Sequence, residues 1–254
     1  MTLDIAAAIR ARPAGETTAQ LMAAYGNPKG PGARETGGGN FDPSPSWAAA
    51  NLVRVPISSL PGWPAYPGVV VKSITLHRLV APVLIATWAE VVRRGLASKL
   101  KTYNGAFVGR HMGHDPARAL SVHAFGAAID LDAAWNGYGV PLERMQINRD
   151  VVQVFEEYGW TWGGRWTGAY ADGMHFQWTD PINGTKLAEW QDRAERVTVP
   201  PPVAQPAPAV VKPASEEQVI LRLKNAQGYD RVSLVKNKQT GELVGFAIEN
   251  RRKL

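Results

Sequence analysis

Two separated stretches hold residue types that can act as one chemical unit. The first is Ser121-Val122-His123-Ala124-Phe125-Gly126-Ala127-Ala128-Ile129-Asp130, and the second is Asp172-Gly173-Met174-His175-Phe176. Cysteine is absent, so a metal could be held only through the five histidines and the carboxylates. His123, Asp130 and His175 offer two imidazoles and one carboxylate. Three protein ligands leave one position of a tetrahedral zinc ion open to water, the arrangement of a catalytic rather than a structural site. Such a site makes a nucleophile: free water has a pKa of about 15.7, which falls to about 7 on zinc.

That chemistry also needs a base to take the proton and return it to the leaving group. Asp172, three residues before His175, is the candidate. In a regular strand the two side chains would face opposite sides, so Gly173 is expected in a turn that brings the carboxylate round. Arg110, closing the run Gly105-Ala106-Phe107-Val108-Gly109, is the candidate cation. It would either oppose negative charge developing on a carbonyl oxygen or clamp a substrate carboxylate with its fork.

Other residues compete for these roles. Asp132 shares strand parity with Asp130. His77 reads as a core or surface histidine, His111 and His114 as surface residues of the polar loop Arg110 to Arg118, and Glu156 with Glu157 as a solvated helix face. Trp160, Trp162, Trp166 and Trp178 are dense enough to wall a sugar or peptide site. The core suits Trp160 and Trp178 at least as well, and Trp166, between Gly164-Arg165 and Thr167-Gly168, is the better exposed candidate.

The elements that must position these groups are short. Pro82 starts a helix whose apolar face is Leu84, Trp88, Val91 and Val92, with Arg93, Arg94 and Gly95 at its end. A second helix runs from Asn148 as cap through Val151, Val152, Phe155 and Tyr158 to Gly159. Strands are expected at Val69 to Ile74, Gly105 to Val108, Ala127 to Leu131, Trp160 to Trp162 and Met174 to Trp178. Residues 26 to 46, rich in Gly, Pro, Asn and Ser, read as loop. Helices that do not alternate regularly with strands predict an α+β fold with a small antiparallel or mixed sheet.

The run from Pro200 to Pro213, almost wholly Pro, Ala and Val, marks a semi-rigid spacer. It divides the chain into a domain of residues 1 to 198, a linker of 199 to 215, and a C-terminal segment of 216 to 254. In that segment Val219-Ile220-Leu221, a turn at Gln239-Thr240-Gly241 and Val244 to Ile248 predict a hairpin. The chain carries a net charge of +6, and from Lys212 onward nine basic residues face five acidic ones, so the tail holds +4 of it. A basic surface suits an anionic wall polymer or nucleic acid, but no nucleic-acid reading motif is present. Met1 to Arg12 lacks the basic start and apolar run of a secretion signal, and no segment is apolar for long enough to cross a bilayer.

The Ser121/His123/Gly126/Asp130 pattern with the later Asp172-Gly173-Met174-His175-Phe176 resembles the D-alanyl-D-alanine carboxypeptidase family of zinc peptidases. More narrowly it resembles the phage-lysin branch of L-alanyl-D-glutamate endopeptidases. The likeness covers roughly Pro67 to Trp178, with the motif-bearing core at about 67 to 180. It implies a hedgehog/DD-peptidase-like fold and one zinc ion on His123, Asp130 and His175, which favours Asp130 over Asp132 as ligand. It also implies a base at Asp172 and an Arg at the place of Arg110, while Ser121 of the motif and Trp166 are the candidates for substrate binding. Many relatives carry Glu where this chain has the shorter Asp172.

The expected function is therefore hydrolysis of an amide bond in the stem peptide of bacterial peptidoglycan, by a monomer made in the cytoplasm that reaches the wall after release. A carboxypeptidase removing terminal D-alanine is the alternative enzyme. A wall-binding or phage structural protein that keeps the fold without cutting is the alternative of another class. Residues 216 to 254 would anchor the protein on the wall or form an inert extension.

Overall fold

The computed structural model describes residues 11–13 and 15–179, together with the later strands 203–204, 216–225, 228–237 and 243–250. Most of the stretch read for a secretion signal, most of the Pro-rich run and the turn at 239–241 lie outside the described residues. The chain divides into two compact units, residues 1–207 and 208–254.

The first unit is α+β, with five α-helices among the described residues and small antiparallel sheets. Helix α1 (Thr18–Tyr25) begins in a capping box: the Thr17 hydroxyl accepts from Gln20 N–H, and the Gln20 side chain reaches back to the Thr17 backbone. The hairpin of β1 (Arg34–Gly37) and β2 (Asn40–Asp42) follows. Residues 26–46 are thus not all loop, because Gly37, Gly38 and Gly39 all take positive φ and turn the chain back on itself.

Helix α2 (Pro45–Asn51), capped by Ser44, runs into β3 (Leu52–Pro56), which pairs with β4 (Ser73–His77). The strand expected at Val69 to Ile74 starts later than that. Val69 donates its N–H to the Tyr66 carbonyl, and Val69 and Val70 stand exposed. Helix α3 (Ala81–Arg93) matches the expected span and buries Val83, Leu84, Ile85, Trp88 and Val91.

The sheet that carries the chemistry has four antiparallel strands. In spatial order they are β5 (Tyr103–Gly105), β6 (Ala128–Leu131), then the strand His175–Gln177, which is β8, and at the edge Thr161–Trp162, which is β7. Between β6 and β7 lie the single turn α4 (Ala133–Asn136) and helix α5 (Arg149–Glu157). Asn148 caps α5 by accepting from Val151 N–H, a bond type that contributes about 1 kcal/mol. Its apolar face of Val151, Val152, Val154 and Phe155 is buried, and Phe155 alone stabilises by about 1.5–3 kcal/mol. Phe155 packs on Trp160 and on Phe176 of β8, so helix and sheet share one core. Trp160 and Trp178 belong to that core.

Val203–Ala204 (β9), within the Pro-rich run, pairs with Val53 and Arg54 of β3. The second unit is an antiparallel meander of β10 (Glu216–Asn225), β11 (Gly228–Asn237) and β12 (Leu243–Asn250), one strand more than a hairpin. No helix among the described residues is long and apolar enough to cross a membrane.

Candidate functional site

The three residues singled out as ligands converge. Asp130 on β6 lies directly across from His175 on β8, so the antiparallel register alone puts both side chains on one face. His123 arrives from a different device, a 3-10 turn over Val122–Phe125. The Ser121 hydroxyl accepts from His123 N–H at the start of that turn, and Gly126 ends it in the left-handed region at φ 67°. Gly126 also lies against β4: a Cβ there would sit 2.6 Å from the His77 nitrogen. Only glycine meets both conditions.

The donor atoms form a tight triangle. His123 Nε2 is 3.2 Å from His175 Nδ1, His175 Nδ1 is 3.1 Å from Asp130 Oδ1, and His123 Nε2 is 3.3 Å from Asp130 Oδ2. With one ligand atom from each residue, the set fits within 4.8 Å. A tetrahedral zinc ion with ligands at about 2.1 Å has edges of about 3.4 Å, so these separations suit a shared ion.

Charge and tautomer agree with that fit. Burial opposes ionisation of Asp130, yet His123 and His175 outweigh it and hold the carboxyl below its usual range. Burial likewise works against the His175 imidazolium, and the hydrogen bond that the imidazolium donates to the Asp130 carboxylate overrides it and raises the pKa. His123 Nδ1 lies 2.6 Å from the Ala106 carbonyl, which only accepts, so that nitrogen carries the proton and Nε2 is left to bind a metal.

Asp172 sits in the expected turn, closed by His175 N–H donating to the Asp172 carbonyl at 3.2 Å. Its side chain is largely buried, and Oδ1 has no hydrogen-bond partner among the described residues. Burial pushes this carboxyl up to about 6; Asp130 adds to the rise, and His175 and Arg110 pull against it. A buried carboxyl poised near neutrality beside the donor triangle could take up and release a proton.

Arg110 is half-buried. Burial lowers the pKa of its guanidinium, while the charges of Asp130 and Asp172, both close enough to matter, raise it. Trp166 is partly exposed, with its ring centre 5.6 Å from that of His175. Ser121 is buried, and its hydroxyl is engaged with the His123 backbone.

The competing residues have other tasks. Asp132 Oδ1 accepts from both Lys101 and Thr102 N–H, which ties the chain before β5 to the end of β6. His77 is buried against Tyr25. His114 is exposed and bonded to Asn40. His111 is buried rather than on the surface, because its Nδ1 is engaged 2.5 Å from the Arg118 carbonyl and its Nε2 meets Lys29. Glu156 and Glu157 do not simply face water: they pair with Arg165 and Arg94.

Two residues near the site escaped the sequence reading. Asn136 is fully buried; its Oδ1 accepts from Gln146 and Ile147 N–H, and its carbonyl accepts from Met174 N–H just before His175. Gln177 lies two residues beyond His175, on the same face of β8, with Oε1 2.9 Å from His175 Nε2. Strand parity would have found Gln177. Nothing in the sequence marks Asn136.

Residues 114–178 match a protein-family model described as D-alanyl-D-alanine carboxypeptidase. Comparison with curated proteins and with solved structures gave no match. The matched segment contains His123, Asp130, Asp172 and His175, so the family likeness and the donor triangle fall on the same quarter of the chain.

Proposed function

We propose that the protein is a zinc-dependent peptidase that hydrolyses an amide bond in the stem peptide of bacterial peptidoglycan, as a phage-type L-alanyl-D-glutamate endopeptidase does. The observation that carries this reading is the convergence of His123, Asp130 and His175 on one point, with the desolvated Asp172 carboxylate beside them. His123, Asp130 and His175 would hold a zinc ion there, and such an ion would lower the pKa of water toward neutral. Asp172 takes the proton from the attacking water and delivers it to the leaving amine, so peptide and water become carboxylate and amine. Arg110 opposes the negative charge that builds on the carbonyl oxygen or holds a substrate carboxylate. Trp166, whose ring lies 5.6 Å from that of His175, would offer the substrate an aromatic face.

The description of the matching family favours a second reading, removal of a terminal D-alanine. Purified peptidoglycan digested with the full chain, with and without a chelator, separates the two when the new ends are identified by mass. New internal amino ends that vanish with chelator support the endopeptidase. Free D-alanine with the same sensitivity supports the carboxypeptidase. Absence of any new end from the zinc-loaded protein overturns both.

A further inference from the structure

Both imidazoles of the donor triangle use one ring nitrogen toward the shared point, and each must carry its proton on the other. For His123 the Ala106 carbonyl enforces this, because a backbone carbonyl can only accept. For His175 the partner is the Gln177 amide, which can present either an acceptor or a donor. A flipped amide would donate to Nε2 and drive the proton onto Nδ1. That arrangement has a ready partner, since Asp130 Oδ1 lies 3.1 Å from Nδ1. It would leave His175 unable to bind a metal.

The structure contains a feature that selects the correct face. Gln177 is fully buried, and its Nε2 donates to Glu16 Oε2 at 3.1 Å and to Thr179 Oγ1 at 2.6 Å. A hydroxyl can play either part, but a carboxylate offers acceptors alone. Glu16 therefore demands the NH2 group and leaves Oε1 facing His175 at 2.9 Å. We propose that Gln177, held in one orientation by Glu16, is a positioning residue that fixes His175 with its proton on Nε2 and its Nδ1 free for the metal.

Glu16 lies far outside the residues matched by the family model, yet the chain holds it in place. It immediately precedes the Thr17 capping box of α1. Arg12 donates to the carbonyls of Thr179 and Gly159, and the Tyr25 hydroxyl at the other end of α1 donates to the Trp178 carbonyl at 2.5 Å. The N-terminal segment thus clasps the end of β8 and carries part of the site.

The inference rests on His175 being a metal ligand, and its test reads zinc affinity by chelator competition together with the His175 Nε2–H proton resonance of the zinc-loaded protein. Gln177→Leu is expected to weaken zinc by about 10–100-fold and to lose the protected Nε2–H signal. Glu16→Ala, at an exposed position that spares the core, weakens zinc less and in the same direction. Glu16→Lys presents a donor in place of an acceptor, favours the flipped amide and weakens zinc more than Glu16→Ala. Wild-type affinity and an unchanged Nε2–H signal in the Glu16 variants overturn this inference alone. A wild-type protein that takes up no zinc overturns the metal reading as well.

Discussion

Asp130 and His175 are direct cross-strand partners of β6 and β8, with Oδ1 and Nδ1 3.1 Å apart. Strand register therefore builds two thirds of the donor set, and a slip of one residue would send the pair to opposite faces of the sheet. Asp130→Asn keeps the shape but removes the charge that the two imidazoles stabilise. It is expected to lower zinc affinity by more than the roughly 10–100-fold typical of an outer partner, and to abolish hydrolysis. Metal content after dialysis against a weak chelator, together with release of peptide ends, checks it.

Asp172 Oδ1 has no hydrogen-bond partner among the described residues, so replacing it should disturb chemistry more than structure. Asp172→Asn is expected to cut kcat by about 10²–10⁴-fold while zinc is retained. The base works deprotonated. With the carboxyl pushed up to about 6 without metal, and a bound cation pulling it down, activity should be full about one unit or more above pH 6 and fall through a midpoint at or below that value. A pH profile of kcat/KM whose acid limb disappears in the residual activity of Asp172→Asn would assign that limb to this carboxyl.

Gly126 joins the His123 turn to β6 where β4 passes closest. A Cβ would lie 2.6 Å from the His77 nitrogen and 3.1 Å from the Leu76 carbonyl carbon, and both are backbone atoms that cannot swing away. A left-handed φ adds about 1–2 kcal/mol for a residue with a side chain. Gly126→Ala should thus destabilise by at least about 2 kcal/mol and lower the melting temperature by several degrees. Zinc affinity should fall with it, because His123 is three residues away.

How much of this was legible beforehand depends on where each signal lies. His123, Asp130, Asp172 and His175 sit in two compact motifs, and the Asp172 turn followed from Gly173 and strand parity alone. Helices α3 and α5 were readable because Pro82 and Asn148 start them and apolar faces run through them. Helix α1 starts at a Thr17-x-x-Gln20 capping signature and α2 at Ser44-Pro45, so both starts have a local signal. The hairpin of β1 and β2 was hidden because its Gly-rich turn has the composition of a loop. Glu16 could not be read at all: its role exists only because folding brings residues 16 and 177 together, and no local pattern encodes that contact.

His77 offers a test of the core that is independent of the metal. It is buried between Tyr25 and Trp47, with ring centres 4.8 and 6.5 Å away, and its Nδ1 accepts from Leu79 N–H. Burial, helped by the charge of Arg78 and opposed by the Tyr25 carbonyl, lowers its pKa from 6.5 to about 4. Between those values the unfolded chain binds a proton that the folded chain refuses, so stability rises with pH across the window and is lost as pH falls through it. The full loss is on the order of 3 kcal/mol. Asp172, raised from 3.8 to about 6, contributes with the opposite sign over part of the same range. Comparison with His77→Phe isolates the histidine, because that variant keeps the ring and removes the proton site. Denaturant midpoints of the metal-free proteins at pH 7.5 and pH 4.5 should show a steeper decline in the wild type than in His77→Phe. Equal declines would mean that His77 is not the group that refuses the proton.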